Sequence, residues 1–328
     1  MKELKNKMVY CGIDVSKLSF DVYYQGKNHV FENAIKGFKA FKLILNQNEQ
    51  CVMEATGPYY LQLAVFLYQH GIKVSVVNPL VIKRFSQMRL VRAKTDKADA
   101  KLIALYAEKE VPKLWTPPKR VLLEIQQTQT VMEGLQKQLR MLSNQLESIQ
   151  VQPFQSNESI KALKQIIKTI DTHYGKLEES ILSKVQEYFN EELKLLTSIP
   201  GIGIKTAVTL LVVTNGFSKF DSSKKLASYA GLCPRIYQSG SSVMGKGHIT
   251  KMGGARLRTL LYMGACSAKK YNKACREMFD RLVANGKAKK LALIAVANKL
   301  IKQAYAIVTK KTMYNETKYY SLIKQSLT

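Results

Sequence analysis

The chain opens with short runs in which β-branched and aromatic residues alternate with polar ones, MVYCGIDVS, LSFDVYYQ and HVFENA. This pattern predicts three β-strands, the first two joined closely enough to pair antiparallel. A helix is expected over about residues 36–47, followed by CVMEAT as a buried strand and YLQLAVFLYQH as a helix. KVSVVN then reads as another strand, and the stretch from about Asp96 to Glu108 as a helix. Strands enter before the strand–helix–strand crossovers begin, which is a mixed α/β order. Further on the period changes. Met132, Leu135, Leu139, Leu142, Leu146 and Ile149 recur every three or four residues, and after Pro153 the pattern resumes with Ile160, Leu163, Ile167, Ile170, Tyr174, Leu177 and Ile181. Two long helices with narrow apolar seams are predicted, a coiled-coil middle whose seams close on each other as a hairpin, on a second chain, or on both. LLTSIPGIGIKTAVTLLVV then resembles a helix-hairpin-helix. A short helix, an irregular Gly/Ser stretch and a mainly helical remainder with one apolar face complete the chain.

Charge divides this pattern. The 328 residues carry 51 Lys and Arg against 24 Asp and Glu, a net +27. Residues 1–118 hold 18 basic against 10 acidic side chains, residues 119–195 hold 10 of each, and residues 196–328 hold 23 against 4. With Pro117-Pro118 and Pro200-Gly201 as punctuation, three domains are expected over 1–118, 119–195 and 196–328. Basic ends meet polyanions readily, because each cation that neutralises a phosphate releases condensed counterions. The neutral middle is instead a self-association surface, pointing to a homo-oligomer, dimer or tetramer. A hydrophobic content of 46% argues against disorder. No secretory leader is read at the N-terminus, and no apolar run is judged to approach the roughly 20 residues that cross a bilayer. A cytoplasmic, nucleoid-associated protein with no membrane partner is expected. Cys11, Cys51, Cys233, Cys266 and Cys275 lack metal-site spacing and read as small buried hydrophobes.

Four acids give the basic chain its candidate chemistry: Asp14 in GIDVSK, Glu54 in VMEATG, and Asp96 and Asp99 in KTDKADA. Asp14 and Glu54 end strands that can lie side by side, and Asp96 and Asp99, three apart on a helix, share one face. Carboxylates from three elements can thus converge on one or two Mg²⁺ ions, with Mn²⁺ as a substitute. The basic run just before the last two acids, including Arg84, Arg89, Arg92, Lys94 and Lys97, can hold a phosphate backbone. In the last domain Gly201, Gly203 and Lys205 belong to the hairpin turn, whose backbone N–H groups and following helix N-terminus can approach phosphate. Arg235, Lys246, Lys251, Arg256 and Arg258 flank the Gly/Ser-rich loop.

GIDVSK, MEATG, KTDKADA, SIPGIG, AGLCPR, QSG and GHITKMGGARLR, in this order, resemble the DEDD-type insertion-sequence transposases, relatives of the Piv-type DNA invertases. The resemblance implies an α/β N-terminal domain of RuvC-like (RNase H-like) fold with Asp14, Glu54, Asp96 and Asp99 as metal ligands. It also implies a mainly α C-terminal transposase domain whose serine matches Ser239. The family is similar to bridge-RNA-guided recombinases, in which a structured noncoding RNA pairs with donor and target DNA. The expected reaction is transesterification: Ser239 attacks a phosphodiester and leaves a 5′-phosphoserine and a free 3′-hydroxyl. Its site would be composite, the carboxylates from one domain and the serine from another. Ser241 and Ser242 follow where many relatives carry Gly and a basic residue, so the loop is assigned more firmly than the nucleophile within it. The other enzymatic reading is a resolvase-type nuclease in which water attacks.

Overall fold

The computed structural model describes residues 8–46, 48–90, 95–235, 238–239, 243–244 and 248–316, with side chains left out over 236–247. The chain divides into two compact units, residues 1–117 and 118–328.

The first unit is a five-stranded sheet with four helices. Its elements are β1 (Val9–Val15), β2 (Ser19–Tyr24), β3 (Lys27–Glu32), α1 (Ile35–Ile44), β4 (Glu49–Glu54), α2 (Tyr60–Gln69), β5 (Lys73–Val77), α3 (Pro79–Met88) and α4 (Asp96–Glu110). The sheet order is β3-β2-β1-β4-β5, antiparallel through β3, β2 and β1 and parallel from β1 through β4 to β5. Alternation along the strands builds two cores. Cys11, Ile13, Val15, Phe20, Val22, Cys51 and Met53 pack on one face with residues of α1 and α2. Val52 packs on the other face with Ile82 and Phe85 of α3 and Leu102, Ile103 and Ala107 of α4. Gly12 lies on this second face, where a Cβ would sit 2.1 Å from the Ala100 carbonyl oxygen and 2.4 Å from the Ala104 nitrogen. Only glycine admits α4 so close to β1.

Helix α3 falls where the sequence reading placed only a basic run. Its start was written locally: Asn78 is the N-cap, its side chain accepting from Leu80 N–H at 2.9 Å, and Pro79 stands at N1. The helix expected over 36–47 stops at Ile44.

The second unit is helical. The helices are α5 (Arg120–Gln150), α6 (Asn157–Thr197), α7 (Ile204–Thr214), α8 (Ser223–Tyr229), α9 (Ala255–Tyr271), α10 (Lys273–Ala284) and α11 (Lys289–Lys310). Four two-residue strands, β6 (Pro234–Arg235), β7 (Gln238–Ser239), β8 (Val243–Met244) and β9 (His248–Ile249), lie between α8 and α9 and pair as β6–β9 and β7–β8. The seams of α5 and α6 close on each other as a hairpin. The middle segment is not a compact unit of its own. At the hairpin's base Leu122, Ile125, Met132, Ile181, Val185 and Phe189 join one core with residues of α7, α9 and α11. Farther out, Leu135, Leu139, Leu142, Leu146 and Ile149 are half-buried, and Phe154 at the turn is 90% exposed. Helix α6 kinks at Phe189, whose backbone is non-helical.

Contrary to the sequence reading, α11 is long and apolar enough to cross a membrane by length and composition, yet over half of that stretch is buried in its own unit. Ala297, Leu300, Ile301 and Ala304 belong to the core. Cys11, Cys51 and Cys275 are buried and Cys233 and Cys266 half-buried, all as free thiols.

Candidate active site

The acids are assembled by register. Ile13 pairs with Met53 in the parallel β1–β4 ladder, so Asp14 and Glu54, one residue further along, leave adjacent strands at the same level. Both stand two residues beyond positions on the face that packs α3 and α4, Gly12 and Val52, and therefore face α4 as well. Helix α4 brings Asp96 and Asp99 in its first turn. Thr95 caps that helix, its hydroxyl accepting from Ala98 N–H at 3.2 Å and its carbonyl accepting from Asp99 N–H at 2.8 Å. Thr95, and not Asp96, therefore caps α4. The helix N-terminus also favours negative charge at both aspartates.

Electrostatics show that the acids sense one another. Burial, then the charges of Glu54, Asp99, Asp96 and Asp21, push the Asp14 carboxyl up to about 6. Asp21, absent from the sequence reading, is a fifth member. It pairs directly with Asp14 across β1 and β2, and its carboxyl is raised by burial and by Asp96, with Lys97 opposing. The Thr56 hydroxyl donates to Glu54 Oε1. Asn33, at the end of β3, donates from Nδ2 to the carbonyls of Ser16 at 2.8 Å and Tyr59 at 3.4 Å, bridging the segments that follow Asp14 and Glu54. The donor set is all oxygen, from three elements, with mutual repulsion that a hard divalent cation would relieve. Among the described residues no three such side chains form a ready metal-binding group, so the acids make a common charged wall and not a closed coordination shell.

The cations expected to hold nucleic acid are differently placed. Arg84 is exposed and donates to Gln87 Oε1, Arg89 lies over the Phe85 ring at 5.4 Å, and Arg92 and Lys94 lie outside the described residues. In the second unit Lys205 is engaged by Glu178 at 3.0 Å and stands over Tyr174. Arg256 pairs with Glu133 at 2.7 Å, and Arg258 donates to the Ala230 carbonyl at 2.9 Å. These three reinforce the fold. Arg235 and Lys251 are exposed, and Lys246 lies outside the described residues. Gly203 is open to solvent, whereas a Cβ on Gly201 would meet Ala268 Cβ at 2.7 Å, so Gly201 serves packing against α9. Ser239 is in β7, opposite Val243 of β8; Ser241 and Ser242 lie outside the described residues.

A mixed sheet that presents carboxylates from two parallel strand ends and a following helix on one face defines a class by its donors, α/β domains whose all-oxygen acids suit a hard divalent cation. Comparison with known proteins narrows it. A DEDD transposase family model of the IS110 type matches residues 11–154, and that of the Transposase IS116/IS110/IS902 family matches residues 193–280. The chain is 34% identical to the pilin gene-inverting protein of Moraxella lacunata over 94% of its own length and 98% of that protein's. The transposase for insertion sequence element IS1328 of Yersinia enterocolitica is 25% identical over 93% of this chain and 98% of its own length. The transposase for IS1111A of Coxiella burnetii is 30% identical over 44% of this chain and 40% of its own. The chain belongs to the IS110-type DEDD transposases. Its N-terminal unit is RuvC-like, and membership makes it a DNA-cleaving transposase or recombinase of a kind that uses divalent metal ions.

Proposed function

We propose that this transposase moves or inverts a DNA segment by strand exchange through a covalent serine–DNA intermediate. The observation that carries the reading is the gathering of Asp14, Glu54, Asp96 and Asp99 on one face of the sheet, at the ends of its two adjacent inner strands, in a chain whose two halves both match transposase models. Asp14 and Glu54 are held by strand register and Asp96 and Asp99 by the first turn of α4, so the four oxygen donors are fixed before substrate arrives. A bound Mg²⁺ or Mn²⁺ would supply charge stabilisation at the phosphoryl oxygens and ease deprotonation of the attacking hydroxyl.

Ser239, the serine of QSG, is the nucleophile. Its Oγ forms a bond to phosphorus while the P–O3′ bond breaks, giving a 5′-phosphoserine; the hydroxyl proton ends on the departing 3′-oxygen, directly or through solvent. Attack of another strand's 3′-hydroxyl reverses these steps, so bond energy is conserved and no external energy source is needed. Acids and serine belong to different units of the chain, so activity needs both. Donor and target DNA are the substrates, and a structured bridge RNA chooses between sites by base pairing. The α5–α6 hairpin carries homo-oligomerisation as a dimer or tetramer, because its outer seam is only half-buried within one chain.

The test is a denaturing gel of the full chain with end-labelled DNA and Mg²⁺. A protein–DNA adduct is expected from the wild type and not from Ser239→Ala, with peptide mapping placing it on Ser239. An adduct on Ser241 or Ser242 moves the nucleophile within the loop. Simple hydrolytic ends with no adduct replace this mechanism with attack by water.

A further inference from the structure

Lys219 stands in the turn between α7 and α8, and that turn is pinned on both sides of it. Lys219 N–H donates to the Thr214 carbonyl at 2.9 Å, and the Tyr305 hydroxyl of α11 donates to the Phe220 carbonyl at 3.0 Å. Asn215, Gly216 and Phe217, just ahead, all take left-handed backbone, with Phe217 N–H held by the Thr214 hydroxyl at 2.9 Å. The Lys219 ammonium lies over two rings, 5.2 Å from the centre of Tyr229 and 5.8 Å from that of Phe220, and the rings pack 5.3 Å apart. Backbone and rings thus fix where a normally mobile charge sits.

Among the described residues no carboxylate pairs with that charge; the acid two places on, Asp221, is bonded to Lys225. Lys184, Lys205 and Lys311 differ, each lying against a glutamate: Glu124, Glu178 and Glu191. The Lys219 side chain reaches solvent, yet packing around its ammonium strips away part of its water and draws its pKa below the usual lysine range. A ring face attracts a cation without neutralising it. A cation held in place, short of water and unneutralised is prepared for a phosphate. Tyr229, which seats it, is also the root of the ribbon that carries Ser239. Gly254 N–H donates to the Tyr229 carbonyl at 2.9 Å and Thr250 N–H to the Cys233 carbonyl at 3.0 Å, beyond which β6 pairs with β9 and β7 with β8. A Cβ on Gly254 would lie 3.3 Å from the Tyr229 ring, so the ring is wedged against the ribbon's returning leg.

We propose that Lys219, seated on Tyr229 and Phe220, binds a backbone phosphate of the DNA duplex that flanks the site of strand exchange. Extended chain from Tyr229 to Ser239 reaches at most about 33 Å, and about one turn of duplex covers that length. DNA engaged by the ribbon therefore runs on past its root. The contact reads no sequence; it fixes the duplex against the unit that carries the serine. The inference rests on the proposed function only in that the ribbon meets DNA, and not on how strands are cut.

The test is duplex binding by the full chain, followed by fluorescence anisotropy from low to high salt with EDTA present. Lys219→Gln should weaken binding about eightfold at about 0.1 M salt and lower the slope of log affinity against log salt by about 0.9, one phosphate's share of released counterions. Lys219→Arg should keep both. Lys184→Gln removes an equal charge where Glu124 already neutralises it at 2.7 Å, so its slope should match the wild type. Tyr229→Phe keeps the ring and should bind as the wild type does; Tyr229→Leu removes the seat and should add little to the loss in Lys219→Gln. Lys219→Gln should also melt no lower than the wild type, whereas a lysine serving only the fold would lower melting and leave the salt slope alone. An unchanged slope in Lys219→Gln, or an equal fall in Lys184→Gln, overturns the contact. A fall seen with an RNA duplex of the same sequence and not with DNA overturns its assignment to DNA. If the wild-type chain binds no duplex, this inference falls together with the proposed function; if it binds through Lys219 yet forms no Ser239 adduct, only the serine mechanism falls.

Discussion

The acidic edge of the first unit and the basic surface of the second treat charge in opposite ways. In the first, a sheet ladder and a glycine contact press like charges together until Asp14 is driven up to about 6. In the second, the cations nearest the hairpin turn and the Gly/Ser-rich loop are matched with partners of their own: Lys205 with Glu178, Arg256 with Glu133, Arg258 with the Ala230 carbonyl. Unrelieved charge is an unfinished interaction, and relieved charge is already part of the fold. The acids thus keep a mutual repulsion that a divalent cation would relieve, whereas Lys205, Arg256 and Arg258 are tied to partners within the second unit and Arg235 stays exposed.

The largest effect should come from removing an acid. Asp14→Ala or Glu54→Ala is expected to lower DNA cleavage by about a thousandfold or more, the scale of losing a charge stabiliser, while nucleic-acid affinity measured by anisotropy stays within a few fold. Full cleavage in either variant would mean that the charged wall is incidental.

Gly12→Ala tests how that wall is held. The new methyl collides with the α4 backbone, so unfolding in urea should show a loss of about 3 kcal/mol together with weaker Mn²⁺ binding as Asp96 and Asp99 shift. Wild-type stability would show that α4 has room to spare.

A smaller effect is set by pH. The Asp14 carboxyl is raised from 3.8 to about 6 on folding, so the folded state binds more protons between those values. Stability from this group is present at low pH and declines as pH rises through about 6. Metal-free protein should therefore melt several degrees lower at pH 7.5 than at pH 5. Mg²⁺ should stabilise more at the higher pH, and Asp14→Asn should flatten the slope. Melting temperatures by differential scanning fluorimetry would decide it.

The smallest effect sharpens the other side of the comparison. Arg256→Ala should lose about 1 kcal/mol of stability, as expected for a half-exposed pair, with little change in DNA affinity. Arg235→Ala should do the reverse, weakening binding a few fold at unchanged stability. Equal losses of affinity from both would return Arg256 to the nucleic-acid surface.

The sequence carried the strands, their acids and the hairpin seams because those depend on periods of two and of three to four within single segments. Asp14 and Glu54 could be set side by side because both end apolar strands, and parallel pairing follows from the intervening crossover. Asp21 was legible in principle: the tight β1–β2 turn returns it opposite Asp14, a register that composition alone does not display. Asn33 was not legible, since its carbonyl partners come from segments after β1 and β4 that meet only in the folded sheet. The same holds for Lys205, Arg256 and Arg258, whose positive charge was visible while their distant partners were not. Helix α3 is announced locally by Asn78-Pro79, but Lys83, Arg84 and Arg89 along it give the segment the look of a solvated basic run.

The β1–β4 ladder carries one consequence for insertions and deletions. Along β1 successive side chains alternate between the two cores, so adding or removing one residue between Val9 and Ile13 would turn Asp14 toward Phe20 and Phe38 and present Ile13 or Val15 to α4. Such a change touches no acid, yet it would disarm the edge as completely as deleting one. At the Gln25–Gly26 turn, at the far end of the β2–β3 hairpin, the same single residue adds only to a loop. The spacing between strand start and carboxylate is thus itself a catalytic quantity, measured in whole residues and tolerant of no remainder.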